Sequence, residues 1–275
     1  MIKSNPVKVD KDVSGLSWEV SDFKELAKLI AVVAVGQSAH AARILEKLEP
    51  NQPAFSDAGM NDDACEQLTI KPGLKPKTDM AARAHRDGFL FECISWIVTI
   101  QGSNNRTFHK APHTSPTSQG LDGLVVELDP TKPVIKAVTI CEDKCTDYPR
   151  NKFQSEVMKT FRQHHGRQKR SRELLTTAVD LIRSILPNDT AATRAAVRVT
   201  DLDCRYYRAA LTVDSTMTTA AQRAKLFADY SDLTGITQAQ RIGATFVVNT
   251  DLRDWFQKLA DAVIAEIRSG TVTHV

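Results

Sequence analysis

The alternation of strand-like and helical segments restricts the fold of this chain more than any other feature. Four segments in the tail read in turn as strand, helix, strand and helix, at 205–213, 220–233, 240–249 and 252–269. Two earlier runs, GLVVEL at 123–128 and a second at 136–146, are joined by a short segment with Pro130 and Pro133, which indicates an antiparallel hairpin. Strands that alternate with helices favour an α/β fold whose sheet starts at the hairpin and gains later strands through crossovers.

Helical periodicity also marks the segments around the hairpin. The predicted helices lie at 21–49, 79–101, 150–166 and 171–186. Ser21 is the expected N-cap of the first helix. The segment 50–78, rich in Pro, Gly, Asn and Asp, predicts a long connection with one candidate strand at 67–70, and 102–120 predicts a polar loop.

Length and composition are those of an ordinary globular protein. The 275 residues, 42% hydrophobic and 25% charged, suffice for a sizeable core in one large domain or two closely packed ones. We expect an N-terminal helical region with its connection over 1–78 and an α/β domain over 79–275. The net charge of +3 permits a nucleic-acid partner but does not by itself indicate one.

The sequence also predicts the compartment. The longest apolar run, 29–35, is too short to span a bilayer, and the polar N-terminus lacks the apolar core of a signal peptide. The five cysteines are odd in number and irregularly spaced, which is typical of free thiols. We therefore expect a cytoplasmic protein without a membrane partner.

Three polar residues of the predicted hairpin are the candidates for chemistry. Glu142 and Lys144 are two apart in a strand and share one face, and Asp122 starts the partner strand, so that the hairpin would bring both carboxylates together. Two adjacent carboxylates repel each other unless a cation lies between them, and an oxygen-rich site suits Mg²⁺ or Mn²⁺. The Lys144 ammonium can orient water or stabilise charge on a phosphate. The alternative is a solvated strand face with a cross-strand ion pair.

Glu92 is a fourth candidate. It lies in the middle of the helix 79–101, beside an apolar stripe, where a carboxylate is costly to bury. That position makes sense if the helix packs on the sheet and delivers a further acidic group to the site. The alternative is a carboxylate paired with a nearby arginine or placed at the rim of the helix.

A helix Glu, then Asp, then Glu-x-Lys resembles the signature of the PD-(D/E)xK nuclease superfamily. The resemblance implies a restriction-endonuclease-like core, a central mixed sheet flanked by helices, with the catalytic core at 79–166. It implies that Asp122, Glu142 and Lys144 are catalytic, that Asp122 and Glu142 hold the metal, and that Glu92 is an accessory acid. The Gly-x-Asp-Gly turn and the Glu-x-Lys strand are more narrowly similar to the nuclease subunit of Hachiman-type anti-phage systems.

Two positions depart from the pattern of the superfamily. Leu121 stands where the eponymous proline would be, and Asp143 occupies a middle position that is often apolar. Asp143 then either reaches solvent, pairs with a basic residue, or shows that the assigned strand face is wrong.

A cluster of positive charge follows the candidate catalytic strand, where a phosphate backbone would lie. The candidate nucleic-acid contacts are Lys159, Arg162, Arg167, Lys169, Arg170 and Arg172. Such a cluster attracts DNA or RNA through counterion release, whereas the alternative is a solvated junction between helices.

Other polar residues carry weaker signals. His109 and His113 precede Asp122 and are candidate substrate contacts, with a solvated loop as the alternative. Cys141 and Cys145 lack a second Cys/His pair at zinc spacing, so we expect buried thiols. The aromatic and aliphatic residues of the tail are assigned to core packing: Phe227, Tyr230, Trp255, Phe256, Leu259 and Val263.

Together these features predict a metal-dependent nuclease that cleaves DNA in an anti-phage defence or restriction role. The sequence contains no Walker-type motif, so ATP hydrolysis would come from a helicase or ATPase partner. The apolar face of helix 21–49 is the expected surface for a partner that restrains the enzyme. Two alternatives remain open: a non-catalytic interaction subunit that retains the fold, and a nucleic-acid-binding module in which the acids are incidental.

Overall fold

The computed structural model describes residues 1–47, 58–113, 120–166, 171–183, 185–186 and 188–270. The strands are β1 (Ile2–Val7), β2 (Ser14–Val20), β3 (Thr107–His109), β4 (Gly123–Leu128), β5 (Ile135–Lys144), β6 (Arg205–Val213) and β7 (Arg241–Val247). The helices are α1 (Phe23–Ala34), α2 (Ser38–Lys47), α3 (Ala58–Leu68), α4 (Pro76–Gln101), α5 (Pro149–Lys152), α6 (Met158–His165), α7 (Ser171–Ile182), α8 (Asp189–Ala196), α9 (Ala220–Leu226) and α10 (Leu252–Arg268).

One mixed sheet joins all of these strands in the order β1-β2-β7-β6-β5-β4-β3. β4 and β5 pair antiparallel, with Gly123 opposite Cys141, which confirms the predicted hairpin. β6 then pairs parallel with β5, and β7 parallel with β6, as crossovers through intervening helices require. The predicted α/β class is therefore confirmed.

Helices cover both faces of the sheet and bury a core on each. Ala209 and Ala210 are consecutive in β6, so they point to opposite faces and belong to different cores. The first core holds Phe91 of α4 with residues of α1, α2, α3 and α10, and the second holds Phe153 and Phe161 with residues of α7, α8 and α9. The predicted packing of the tail is confirmed, because its residues are buried or packed against these cores: Phe227, Tyr230, Trp255, Phe256, Leu259 and Val263.

The N-terminal region differs from the prediction. Residues 1–20 form β1 and β2, which extend the sheet beside β7, so this region is not wholly helical. The predicted helix 21–49 is broken at Gly36, whose φ of 80° lies in the left-handed region that favours glycine. Its N-cap is Asp22 and not Ser21, because the Asp22 carboxylate accepts the backbone N–H of Glu25 at 3.0 Å.

The apolar face of α1 is covered by the same chain. Leu26, Leu29, Ile30 and Val33 are buried, and α1 packs against α10 and α4. The prediction that this face is exposed for a partner is therefore wrong. The sequence pattern shows that a helix is amphipathic, but it does not show which element covers the apolar side.

Four other predictions of local structure were wrong. The supposed connection 50–78 contains α3 and the first turn of α4, and 67–70 is not a strand. The supposed loop 102–120 contains β3, and α8 was not predicted. The helix predicted at 150–166 includes a π-helical turn between α5 and α6, and the one at 220–233 ends with α9. None of the described helices has the length and apolarity to cross a bilayer.

Candidate functional site

The β4–β5 hairpin brings Asp122, Glu142 and Lys144 together. The Lys144 Nζ lies 2.6 Å from Asp122 Oδ2 and 3.2 Å from Glu142 Oε2. Because both carboxylate oxygens contact the same nitrogen, they are close enough to share one cation. The backbone N–H of Asp143 also donates to Asp122 Oδ2 at 2.9 Å, which fixes the orientation of that carboxylate.

The turn before β4 presents Asp122 to this centre. Gly120 has a φ of 139°, which side chains rarely allow, and the backbone N–H of Leu121 donates to Glu173 Oε1 of α7 at 3.1 Å. Leu121 itself is buried in the second core, so an apolar residue anchors the turn where the superfamily pattern has proline.

Lys144 is the counter-ion of the two carboxylates. Burial raises the pKa of Glu142 to about 8, and Asp122 raises it further, while Lys144 opposes the shift. For Lys144, burial lowers the pKa, but the attraction of Asp122 and Glu142 outweighs burial and holds the pKa above its usual value. The lysine therefore stays protonated and acts as a charge and hydrogen-bond donor, not as a base.

Glu92 is held by a histidine and not by an arginine. Its Oε1 accepts the backbone N–H of His113 at 2.9 Å, and its Oε2 lies 2.9 Å from His113 Nδ1. This contact ties α4 to the segment that leads into β4. His113 is thus a partner of Glu92, a role that the sequence pattern did not indicate.

His109 is also not in a solvated loop. It ends β3 and its Nε2 lies 2.7 Å from Ser103 Oγ. Burial, with a smaller contribution from Arg208, lowers the pKa of His109 to about 4, so the ring is neutral near pH 7.

Asp143 points to the opposite face of β5 from Glu142 and pairs with a basic residue, one of the three alternatives left open by the sequence. Its side chain is 3% exposed, and its Oδ2 lies 3.6 Å from a guanidinium nitrogen of Arg208. Arg208 also donates to Ser95 and Thr99 of α4. Burial raises the pKa of Asp143 to about 6, against the opposing effect of Arg208. Arg208 was missed from the sequence, although a charged residue in the middle of the apolar strand RYYRAALTV was a usable signal.

A cleft of about 940 Å³ adjoins the hairpin. It is bordered by α4, the end of β5 and the first residues of α5 and α10. The candidate site residues that line it are Glu92, His113, Asp122, Asp143 and Lys144. Glu142 is 3% exposed and reaches the cleft only through its contact with Lys144.

The donor set fits a hard divalent cation. No three or more His, Cys, Asp or Glu side chains among the described residues form a ready-made metal cluster. Asp122 and Glu142 nevertheless offer carboxylate oxygens around one cation, and the backbone carbonyl of residue 143 lies between Glu142 and Lys144 in sequence. The buried Asp143 Oδ1 lacks a hydrogen-bond partner, which adds unbalanced negative charge nearby. Oxygen donors with net negative charge suit Mg²⁺ or Mn²⁺, which usually keep several waters.

The predicted basic cluster is only partly described. Arg167, Lys169 and Arg170 lie outside the described residues. Lys159 and Arg172 are exposed on α6 and α7. The guanidinium of Arg162 pairs with Asp232 at 2.6 Å, which reduces the charge that it can offer to a phosphate.

The cysteines of β5 are thiols. Cys141 is buried and Cys145 is partly buried, and neither is in a disulfide. Burial raises the pKa of Cys141 to about 12, which keeps it protonated. The prediction of a buried thiol is confirmed for Cys141.

A comparison of the chain with protein-family models, curated proteins and solved structures found no match. The functional argument therefore rests on the residues and their geometry.

Proposed function

We propose that this chain is a metal-dependent nuclease that hydrolyses phosphodiester bonds of DNA. The observation that supports it best is the convergence of Asp122, Glu142 and Lys144 beside an open cleft. The segment from α4 to β6 carries Glu92 and these three residues on one helix and one hairpin, and we assign it as the restriction-endonuclease-like core. DNA is preferred over RNA on the resemblance alone.

The proposed chemistry assigns a different task to each residue. Asp122 and Glu142, with the backbone carbonyl of residue 143, would hold Mg²⁺ or Mn²⁺, which when bound supplies charge stabilisation at the transferring phosphoryl group. Lys144, kept protonated by its carboxylate neighbours, donates hydrogen bonds to the attacking water or to a phosphate oxygen. Glu92, oriented by His113, accepts a hydrogen bond from water on the cleft side.

The biological role extends from the same resemblance. An anti-phage or restriction nuclease of this kind would work in the cytoplasm with a helicase or ATPase partner, since the chain carries no Walker-type motif of its own. Because the apolar face of α1 is covered internally, a restraining partner would have to bind elsewhere.

A second candidate function is a non-catalytic nucleic-acid-binding or interaction subunit that retains the fold. The observation that favours it is that Lys144 already balances both carboxylates, with Glu142 buried behind this contact. In that case the triad is a structural ion pair, and no metal is bound there.

Cleavage of plasmid and linear DNA in Mg²⁺, in Mn²⁺ and in EDTA tests the proposal. Glu142→Gln and Lys144→Met should each reduce metal-dependent cleavage by about 10²-fold or more, because each removes charge from the reacting centre. The matched control is the ion pair of Glu127 and Lys136, which lie 2.7 Å apart on the same hairpin but exposed. Glu127→Gln and Lys136→Met should leave cleavage unchanged.

Two results would contradict the nuclease assignment. One is cleavage that persists in EDTA or in Glu142→Gln. The other is a wild-type protein that binds DNA but cuts none of these substrates in either metal, which would favour the non-catalytic subunit.

A further inference from the structure

The cleft beside the candidate centre carries little unpaired positive charge. Its cations lie next to carboxylates: Arg83 with Asp79 at 2.8 Å, Arg253 with Asp147 at 2.8 Å, and Lys152 with Glu156. Grooves that track the backbone of a duplex gain affinity from cations that are free to displace counterions. A charge-balanced cleft is therefore a poor groove for two phosphate backbones.

The same cleft exposes unusual apolar surface. Tyr148 is 74% exposed and Met80 is 68% exposed, the two highest values for large hydrophobic residues in the described part of the chain. Both line the cleft, although they come from different elements, the start of α5 and the first turns of α4. Phe89 and Ala84 line it as well. Exposed apolar groups that gather in one concave site mark a place for an apolar ligand surface.

One wall of the cleft also lets a ligand approach the backbone. Gly88 lies on the cleft side of α4, and a Cβ built there would meet nothing within 4 Å. The cleft volume of about 940 Å³ is at the upper end of the usual range for small-molecule sites, roughly 300–1,000 Å³, which leaves space for a base and its sugar.

We propose that this cleft binds one or two unstacked nucleotides of single-stranded DNA, with a base stacked on Tyr148 and in contact with Met80. Nucleobases have apolar faces that stack on aromatic rings whatever their sequence, which matches exposed apolar groups in a charge-balanced site. The adjoining phosphate then lies towards Lys144 and Asp122, which line the same cleft. The placement of the phosphate, but not the stacking, rests on the proposed nuclease function.

Binding of a short fluorescent oligonucleotide tests this, with Ca²⁺ in place of Mg²⁺ so that cleavage does not interfere. The single strand should bind at least 10-fold more tightly than a duplex of the same sequence. Tyr148→Ala should weaken single-strand binding by about 10- to 100-fold, as expected for the loss of one stacked base, and Tyr148→Phe should keep most of it. A 2-aminopurine base in the oligonucleotide should lose fluorescence on binding to the wild type but not to Tyr148→Ala.

Two exposed residues away from the cleft provide matched controls. Met60→Ala, at a residue 45% exposed on α3, is the counterpart of Met80→Ala, and Val197→Ala, at a residue 53% exposed, reports on general loss of apolar surface. Only Met80→Ala should weaken binding.

The outcomes separate this inference from the nuclease proposal. Equal or tighter binding of the duplex, no measurable binding, or an unchanged affinity of Tyr148→Ala would overturn the single-strand site. Stacking on Tyr148 without any metal-dependent cleavage would leave the site standing and reject the nuclease.

Discussion

Replacement of Arg208 by methionine should destabilise the fold by leaving a buried carboxylate without its counter-ion. The side chains of Asp143 and Arg208 are 3% and 9% exposed, and their closest charged atoms lie 3.6 Å apart. Arg208 also donates to Ser95 and Thr99, so that one guanidinium joins β5, β6 and α4 behind the candidate site.

The size of the loss depends on pH. Removal of one partner of a buried ion pair costs about 3–5 kcal/mol when the remaining charge stays ionised. The pKa of Asp143 is about 6 with Arg208 present, above the value of 3.8 for a free Asp, and removal of Arg208 raises it further. A carboxyl whose folded pKa is raised gives stability that is present at low pH and is lost as the pH rises through that pKa, at up to about 1.4 kcal/mol per pH unit. We therefore expect a loss of about 3–5 kcal/mol at pH 8 and a clearly smaller loss at pH 5, where Asp143 is protonated.

Urea denaturation followed by circular dichroism at pH 5 and pH 8 measures this. Asp143→Asn, which removes the charge but keeps the shape, is the partner for a double-mutant cycle with Arg208→Met. In the Asp143→Asn background the pH dependence of the Arg208→Met effect should disappear. An equal loss at both pH values, with additive effects in the cycle, would refute the argument from the buried charge.

Three further predictions concern titration, packing and charge. Burial holds the pKa of His109 at about 4, below its ordinary 6.5, so the folded state binds fewer protons and stability should fall as the pH drops from about 6.5 towards 4; in urea titrations His109→Gln should flatten this slope of up to about 1.4 kcal/mol per pH unit, and a slope equal to that of the wild type would reject the assignment. In thermal melts Gly243→Ala should destabilise by about 1–3 kcal/mol, because its Cβ would lie 2.6 Å from the Phe227 ring, whereas Gly88→Ala, in an open part of α4, should stabilise by about 0.5–1 kcal/mol; changes of the same sign would contradict this packing. The double variant Lys159→Ala/Arg172→Ala should lower the salt slope of DNA binding by about 1 per phosphate contact, and an unchanged slope would show that both are only solvated.

Local sequence patterns were sufficient for the hairpin and for the heart of the candidate site. Apolar alternation bounded by turn residues predicted β4 at its observed limits, and the two-residue period of a strand put Glu142 and Lys144 on one face. The pairing of neighbouring strands then brought Asp122 to them, because a short connection leaves an antiparallel hairpin few other registers. These features depend on residues close together in the chain, so the sequence alone determined them.

Contacts between distant segments were decided only by the tertiary structure. The pairing of Glu92 with His113, the burial of Asp143 against Arg208 and the covering of α1 by α10 all join elements that are far apart in the chain or separated by irregular segments. The polar strand β1 likewise joins the sheet at an edge, where one face can stay in water and little apolar alternation is needed. Amphipathic patterns state which side of an element must be buried, but the partner is chosen by the shape and charge of the whole assembled core, which no local window of sequence contains.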